Sequence, residues 1–237
     1  MRIAVAGGTG MVGELVVERA RAAGHEVVVI SRSHGVDLTT GAGLDEALQG
    51  VDAVIDVANV ETLSRKKAVD FFETTTRHLL AAEERSRVRH HVVLSIVGVD
   101  RVDSGYYAGK RRQEELALAG PIPATVLRAT QFHEFAAQLV ARIPGPVKVV
   151  PSMLTRPVAA ADVAAELVRL AEGPAQGLAT DLAGPEVLRM PAMVRRVARG
   201  KLVLTVPAGR AMSGGGLLPA GDFRRGEVTF DEWVAGR

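Results

Sequence analysis

The feature that most constrains this chain is the run Gly7-Gly8-Thr9-Gly10-Met11-Val12-Gly13. The preceding residues, Arg2-Ile3-Ala4-Val5-Ala6, read as a β-strand. An amphipathic run follows (Met11, Val12, Leu15, Val16, Arg19, Ala20, Ala23) and reads as a helix closed by Gly24. Residues 26–30 give a second strand at once. Where a strand turns straight into a helix, a Cβ obstructs the bend. Gly7 and Gly10 therefore mark the turn, and Gly13 marks a close approach of helix to strand. First-turn N–H groups lack intrahelical acceptors and the helix dipole is positive there, so such a turn suits a diphosphate. No Lys-Ser or Lys-Thr follows Gly13, which argues against an ATP-type phosphate loop.

With 237 residues, 47% of them apolar, the chain can bury a sizeable core as one α/β domain with a small appended lobe. A formal net charge of +2 without a basic stripe makes nucleic acid an unexpected partner. The absence of cysteine excludes disulfides, thiolate metal sites and cysteine nucleophiles. The six histidines are scattered, and His90-His91 opens a strand, so both read as structural and no metal site is expected. No apolar run reaches the roughly 18 residues of a membrane span, so no membrane partner is expected. The first strand begins too early to follow a signal peptide, and a cytoplasmic location is expected.

Ser31-Arg32-Ser33 follows the second strand. NAD-specific sites place an acidic residue here, hydrogen-bonded to the ribose 2′-hydroxyl. A guanidinium flanked by hydroxyls instead suits a 2′-phosphate, which favours NADP(H) over NAD(H). A short helix is expected over residues 44–48. Residues 51–58 read as a buried parallel strand closed by Asn59, which stands at the cofactor edge. Residues 63–86 read as a long helix carrying Val69, Phe72, Thr76, Leu79 and Leu80 on one side.

A further apolar strand contains Ser95, and Tyr106 follows after ten residues, then Lys110 after three more. Residues 105–119 read as a helix, so Tyr106 and Lys110 share a face one turn apart. A phenol with a pKa near ~10 is a poor acid–base at neutral pH. A neighbouring ammonium is expected to bring it closer, with Ser95 bonding a substrate carbonyl and Lys110 also holding ribose hydroxyls. Tyr107 has Arg111 one turn on, but Tyr106 is preferred because its partner is the lysine.

Residues 123–128 read as a strand that runs into Ala129-Thr130-Gln131-Phe132-His133-Glu134-Phe135, at the carboxyl ends of the strands. Phe132, His133 and Phe135 suit a pocket floor, and Phe132, Phe135 and Leu139 equally suit a helix core. From residue 143 prolines punctuate short strands. Asp162 reads as a helix cap or first-turn acid, residues 177–183 as a strand, 190–199 as a helix and 201–206 as a short strand. Ser213-Gly214-Gly215-Gly216-Leu217-Leu218-Pro219 reads as a flexible loop, and residues 228–234 as a short helix docked by Phe230 and Trp233.

Through the glycine run, Ser31-Arg32-Ser33, Ser95, Tyr106-Tyr107-Ala108-Gly109-Lys110 and residues 127–135 and 157–167, the chain resembles the atypical short-chain dehydrogenase/reductases, in their NmrA-like branch. The resemblance is thinnest after about residue 201. It implies a doubly wound parallel Rossmann sheet (about 1–130 plus 156–172) with a small C-terminal substrate lobe (131–155 and 173–237). It implies Ser95, Tyr106 and Lys110 as the catalytic positions and Gly7 to Gly13 (Gly8, Thr9, Gly10, Met11 and Val12 included) on the cofactor. It further implies Asp37 and Leu38 near the adenine, Ala58 and Asn59 near the ribose–nicotinamide part, and Thr130, Gln131 and Phe132 beside the nicotinamide. The expected activity is transfer of hydride from NADPH to a carbonyl or quinone-type small molecule, by a monomer or homodimer. The alternative within the branch is a non-catalytic NADP(H) sensor. An epimerase or dehydratase using bound NAD shares the residues but is disfavoured by Arg32.

Overall fold

The structure, a computed structural model, describes residues 1–236. Strands and helices alternate as β1 (Arg2–Ala6), α1 (Met11–Ala22), β2 (Glu26–Ile30), α2 (Leu44–Ala47), β3 (Ala53–Asp56), α3 (Arg65–Ser86), β4 (His90–Ile96), α4 (Gly105–Leu118) and β5 (Ala124–Ala129). Shorter pieces follow: α5 (Glu134–Arg142), β6 (Val147–Pro151), β7 (Leu154–Thr155), α6 (Ala160–Glu172), β8 (Gly177–Leu178), β9 (Asp181–Ala183), β10 (Leu188–Arg189), α7 (Met190–Val197), β11 (Leu202–Val206), α8 (Gly209–Ser213), β12 (Phe223–Arg225) and α9 (Phe230–Ala235). The chain divides into two compact units. One comprises residues 1–95, 103–128 and 164–179, and the other residues 96–102, 129–163 and 180–237.

The first unit is a Rossmann-type α/β layer. β1 pairs parallel with β2 on one side and β3 on the other, β3 pairs parallel with β4, and β5 lies beside β4 and pairs parallel with β8. The order 2-1-3-4-5 is a doubly wound one, and its chain reversal falls between β1 and β3. All four residues of β3 are buried, as a parallel strand covered on both faces requires. Ala4, Ala6, Ile30, Val54, Leu44, Leu48 and Leu79 form one cluster against the sheet, joining β1, β2, β3, α2 and α3. Ser64 caps α3 by accepting from the Lys67 N–H. α3 is the long neighbour that places α4.

In the second unit β6 and β11 form a parallel pair, β7 and β10 an antiparallel pair, and β12 runs parallel to β9. The single strand expected over 177–183 is two, β8 and β9, interrupted at Ala179-Thr180. Asp162 does lie in the first turn of α6, but its Oδ2 accepts from the backbone N–H groups of Glu227 and Val228 rather than from its own helix. The C-terminal helix forms as expected: Thr229 and Glu232 build a reciprocal capping box, Phe230 is buried and stacks on Trp233. The glycine-rich segment after Ser213 is not a loose loop. Leu217 is fully buried, Arg101 donates to the Leu218 carbonyl at 2.6 Å, and a Cβ on Gly98 would lie 2.1 Å from the Gly216 oxygen.

Candidate functional site

At the chain reversal of the sheet, Gly7 ends β1 with φ +78°, and an added Cβ would lie 2.9 Å from both N and Cα of Ala58. At Gly13 an added Cβ would lie 2.1 Å from the Gly7 oxygen, so this glycine lets α1 start against the turn itself. At Gly8 it would meet the Val5 oxygen and Val29 Cγ1, each at 3.0 Å. Gly10 differs. It has extended backbone (φ −83°, ψ 169°) that any residue adopts, and only the Gly7 oxygen, at 3.3 Å, would approach its Cβ. Thr9, Gly10 and Met11 are exposed, and no side chain caps α1. The fold forbids side chains at Gly7 and Gly13, whereas at Gly10 one would require a single oxygen to give by a few tenths of an ångström. The bare surface there faces outward.

At the end of β2, residues 32–34 form a single 3-10 turn that exposes Arg32 and Ser33. The Ser31 hydroxyl lies 2.9 Å from Ser33 Oγ and 2.8 Å from His34 Nδ1. Asp37 is occupied by its own loop: the Thr39 hydroxyl and N–H donate to its Oδ1 at 2.6 and 2.8 Å. These bonds, aided by the Arg32 charge, hold the Asp37 carboxyl below the usual carboxylate range. The Leu38 carbonyl accepts from His78 Nδ1 at 2.9 Å.

Gly109 lets α4 lie directly on α3, since a Cβ there would be 2.7 Å from the Ala68 backbone and the Phe72 ring. Tyr106 and Lys110 consequently flank Phe72. The Tyr106 ring meets Phe72 edge-on at 5.7 Å, and the Lys110 ammonium lies 4.6 Å from the Phe72 ring centroid. The Tyr106 hydroxyl donates to Asn59 Oδ1 at 2.6 Å. Lys110, only 4% exposed, donates instead to Gln113 Oε1 at 2.5 Å. The Gln113 amide donates to Asp56 Oδ2 at 2.8 Å, and Asp56 Oδ1 accepts from the Ala58 N–H at 2.9 Å.

This geometry corrects the expected acid–base logic. Burial pushes the Tyr106 phenol well above its ordinary value, and Tyr107 and Glu61 push it further. Burial pulls the Lys110 ammonium down to about 8, against Asp56 and Glu114, which favour its charge. The lysine side chain turns inward to an amide, so it does not acidify the phenol. Ser95 lies near the end of β4, 2% exposed, and its hydroxyl has no hydrogen-bond partner among the described residues. It is not bonded to Tyr106. Tyr107 is buried in the same helix, and Arg111 lies 3.7 Å from Asp103.

In the second unit, Thr130 donates to the Arg156 carbonyl at 2.5 Å, Gln131 Oε1 accepts from the Thr155 hydroxyl at 2.5 Å, and Phe132 bridges Val158. His133 belongs to the core: its ring packs on Phe230 and Trp233, and Nε2 donates to the Val228 carbonyl at 3.0 Å.

Sequence reasoning missed Asp56, Gln113 and His34. An acid inside an otherwise apolar strand, and a glutamine three positions after the lysine on one helix face, were the available signals. Among the described residues no cluster of metal-ligating side chains occurs, and no helix is long and apolar enough to cross a membrane. A cavity of about 400 Å³ lined by Asp45, Gln49, Gly50, Arg85 and Ser86 sits where β3 and β4 begin, and none of the candidate residues lines it.

A model of the NAD dependent epimerase/dehydratase family matches residues 3–125. The chain belongs to that family. The matched stretch of the epimerase/dehydratase family member contains the glycine turn, Arg32, Asn59, Ser95, Tyr106 and Lys110. Among solved structures, a short-chain dehydrogenase/reductase superfamily protein from Agrobacterium tumefaciens with bound NAD is 19% identical, with a TM-score of 0.74 over 100% of this chain and 95% of that one. An NADPH-dependent quinone oxidoreductase from Escherichia coli, complexed with NADPH, is 19% identical, with a TM-score of 0.75 over 99% of both chains. A UDP-N-acetylglucosamine 4-epimerase from Bacillus cereus is 19% identical, with a TM-score of 0.73 over 99% of this chain and 95% of that one. These neighbours share the Rossmann-type α/β fold of this chain. No curated protein matches. The family takes in the epimerase and dehydratase chemistry that Arg32 was expected to disfavour.

Proposed function

We propose that this epimerase/dehydratase family member is an NADP(H)-dependent oxidoreductase that reduces a carbonyl or quinone-type small molecule. The observation that carries the reading is the exposed, bare turn at Gly10, where an added Cβ would meet the Gly7 oxygen alone, at 3.3 Å, and would otherwise face outward to where a diphosphate would lie. The residues fit a dinucleotide. The turn from Gly7 to Gly13 would present bare backbone to a diphosphate, with Gly8, Thr9, Met11 and Val12 along it, while the Gly7 and Gly10 N–H groups themselves bond to the Ile30 and Gly7 carbonyls. Arg32, with Ser31 and Ser33, would hold a 2′-phosphate, while Oδ1 of the nearby Asp37 carboxylate accepts from Thr39. Leu38 would flank the adenine, and Ala58, Asn59 and Lys110 the ribose.

When bound, the nicotinamide supplies the reducing electrons. The chain's own residues supply the proton and the orientation. The Tyr106 phenol stays protonated across the neutral range, so it acts as a proton donor and not as a base. The unpartnered Ser95 hydroxyl is a donor ready for a substrate oxygen. The quinone oxidoreductase among the structural neighbours supports the substrate class.

A second reading, a redox sensor of the NmrA type, is favoured by the commitment of the Tyr106 proton to Asn59 and of Lys110 to Gln113. Calorimetry with NADPH and NADH, followed by NADPH oxidation with a panel of quinones and ketones, separates the two. The reductase reading expects tighter NADPH than NADH binding, and turnover that Tyr106→Phe abolishes while binding persists. Tight binding without turnover on any acceptor supports the sensor. Heat from neither cofactor overturns both.

A further inference from the structure

Lys110 ends a chain of three buried polar groups in the first unit, of which the proposed function uses the lysine alone. Asp56 and Gln113 are each 1% exposed, and Lys110 is 4% exposed. A carboxylate accepts only, so the Gln113 amide must turn its nitrogen toward Asp56 Oδ2. Its oxygen is then left facing the Lys110 ammonium, which donates to it at 2.5 Å. Reversing the amide would set nitrogen against ammonium and oxygen against carboxylate, losing both bonds at a buried site. The Phe72 ring lies beside the same ammonium. A flexible four-carbon side chain is in this way held in one place by an amide whose direction a buried acid dictates. The other oxygen of that acid fixes the Ala58 N–H, on the backbone segment that Gly7 approaches too closely for a Cβ.

We propose that Gln113, oriented by Asp56, is a positioning residue for Lys110, selecting the placement from which the ammonium holds the cofactor. The proposal rests on the reading that Lys110 contributes to cofactor binding. Gln113 is buried, and its amide is spent on Lys110 and Asp56. Its effect on affinity must therefore pass through Lys110, whereas a merely structural effect would not depend on the lysine.

A double-mutant cycle on the full chain tests this, with NADPH affinity measured by calorimetry for Gln113→Met, Lys110→Met and the double variant. Gln113→Met is expected to weaken binding about tenfold in the wild-type background and by less than about twofold when Lys110 is already methionine. Asp56→Asn, whose own amide nitrogen would face Gln113 and reverse its amide, is expected to weaken binding likewise and only while Lys110 is present, and urea titration of each variant identifies any that folds poorly. An equal loss in both backgrounds makes Gln113 structural and overturns the proposal. So does no loss in the wild-type background when Lys110→Met does weaken binding. If Lys110→Met itself binds NADPH like the wild type, the role of the lysine in cofactor binding fails and the proposal falls with it.

Discussion

Tyr106 donates its hydroxyl hydrogen to Asn59 Oδ1 at 2.6 Å, while the lysine one turn along the same helix bonds to Gln113 instead. The phenol is thus anchored by an amide at the end of the neighbouring strand–loop, and its acidity is set by burial. Tyr106→Phe is expected to cut turnover by about 10²–10⁴-fold with NADPH affinity unchanged, the usual worth of a positioned acid. Asn59→Leu should lower turnover less, because the phenol survives but loses its anchor. In a profile of kcat/KM against pH, the phenol should give no break below pH 10. A break near pH 8 would belong to Lys110, whose pKa is pulled down to about 8.

Gly13 and Gly10 should separate stability from binding. A Cβ at Gly13 falls 2.1 Å from a backbone oxygen that cannot move without the turn, so Gly13→Ala is expected to cost about 1–3 kcal/mol or more. Gly10→Ala meets one atom at 3.3 Å and should change stability by less than about 1 kcal/mol. Its effect should appear instead as a loss of NADPH affinity. Denaturant titration of both variants, with calorimetry, checks the pair of outcomes.

What was legible in the sequence was whatever local spacing dictates. The glycine turn could be read because a strand entering a helix leaves few options for its residues, and the helix from Gly105 because its neighbours support one. The inward turn of Lys110 was not legible. It depends on Asp56, 57 positions before Gln113 in the chain, and on Phe72 across a helix pair that Gly109 brings together. The segment after Ser213 misled for the same reason. Its glycines suggest mobility when read alone, yet its anchor is Leu217 together with an arginine, Arg101, 117 positions before the carbonyl it bonds.

Glu83 and His91 form a fully buried pair, with His91 Nδ1 2.8 Å from Glu83 Oε1. Burial raises the Glu83 carboxyl, with His91 working against it. Burial opposes the His91 charge, but Glu83 outweighs it and the imidazole is raised too. Both groups hold protons more firmly folded than unfolded, so this pair's contribution is fully present below the unfolded values and is lost as pH rises through the folded ones. Glu83→Leu, which leaves the imidazole without its partner, is expected to cost about 3–5 kcal/mol in urea titrations at neutral pH.

His133 should govern stability on the acid side. Its Nε2 must carry the hydrogen, because the Val228 carbonyl can only accept, and Nδ1 is buried with no partner among the described residues. Burial lowers its pKa, although the Val228 carbonyl and the charges of Glu134, Asp162 and Glu186 favour the protonated ring. His90 is lowered as well, chiefly by burial. A histidine with a lowered folded value binds its proton more readily when unfolded, so its stabilisation is complete above the unfolded value near ~6.5 and is lost as pH falls below it. His133→Gln can still donate to Val228 but cannot titrate. Between pH 7.5 and pH 5 the wild type should lose up to about 2 kcal/mol more stability than this variant, the full linkage of one histidine kept neutral. Equal losses in both would mean that the ring is charged in the folded protein at pH 5, and that Phe230 and Trp233 do not exclude the proton.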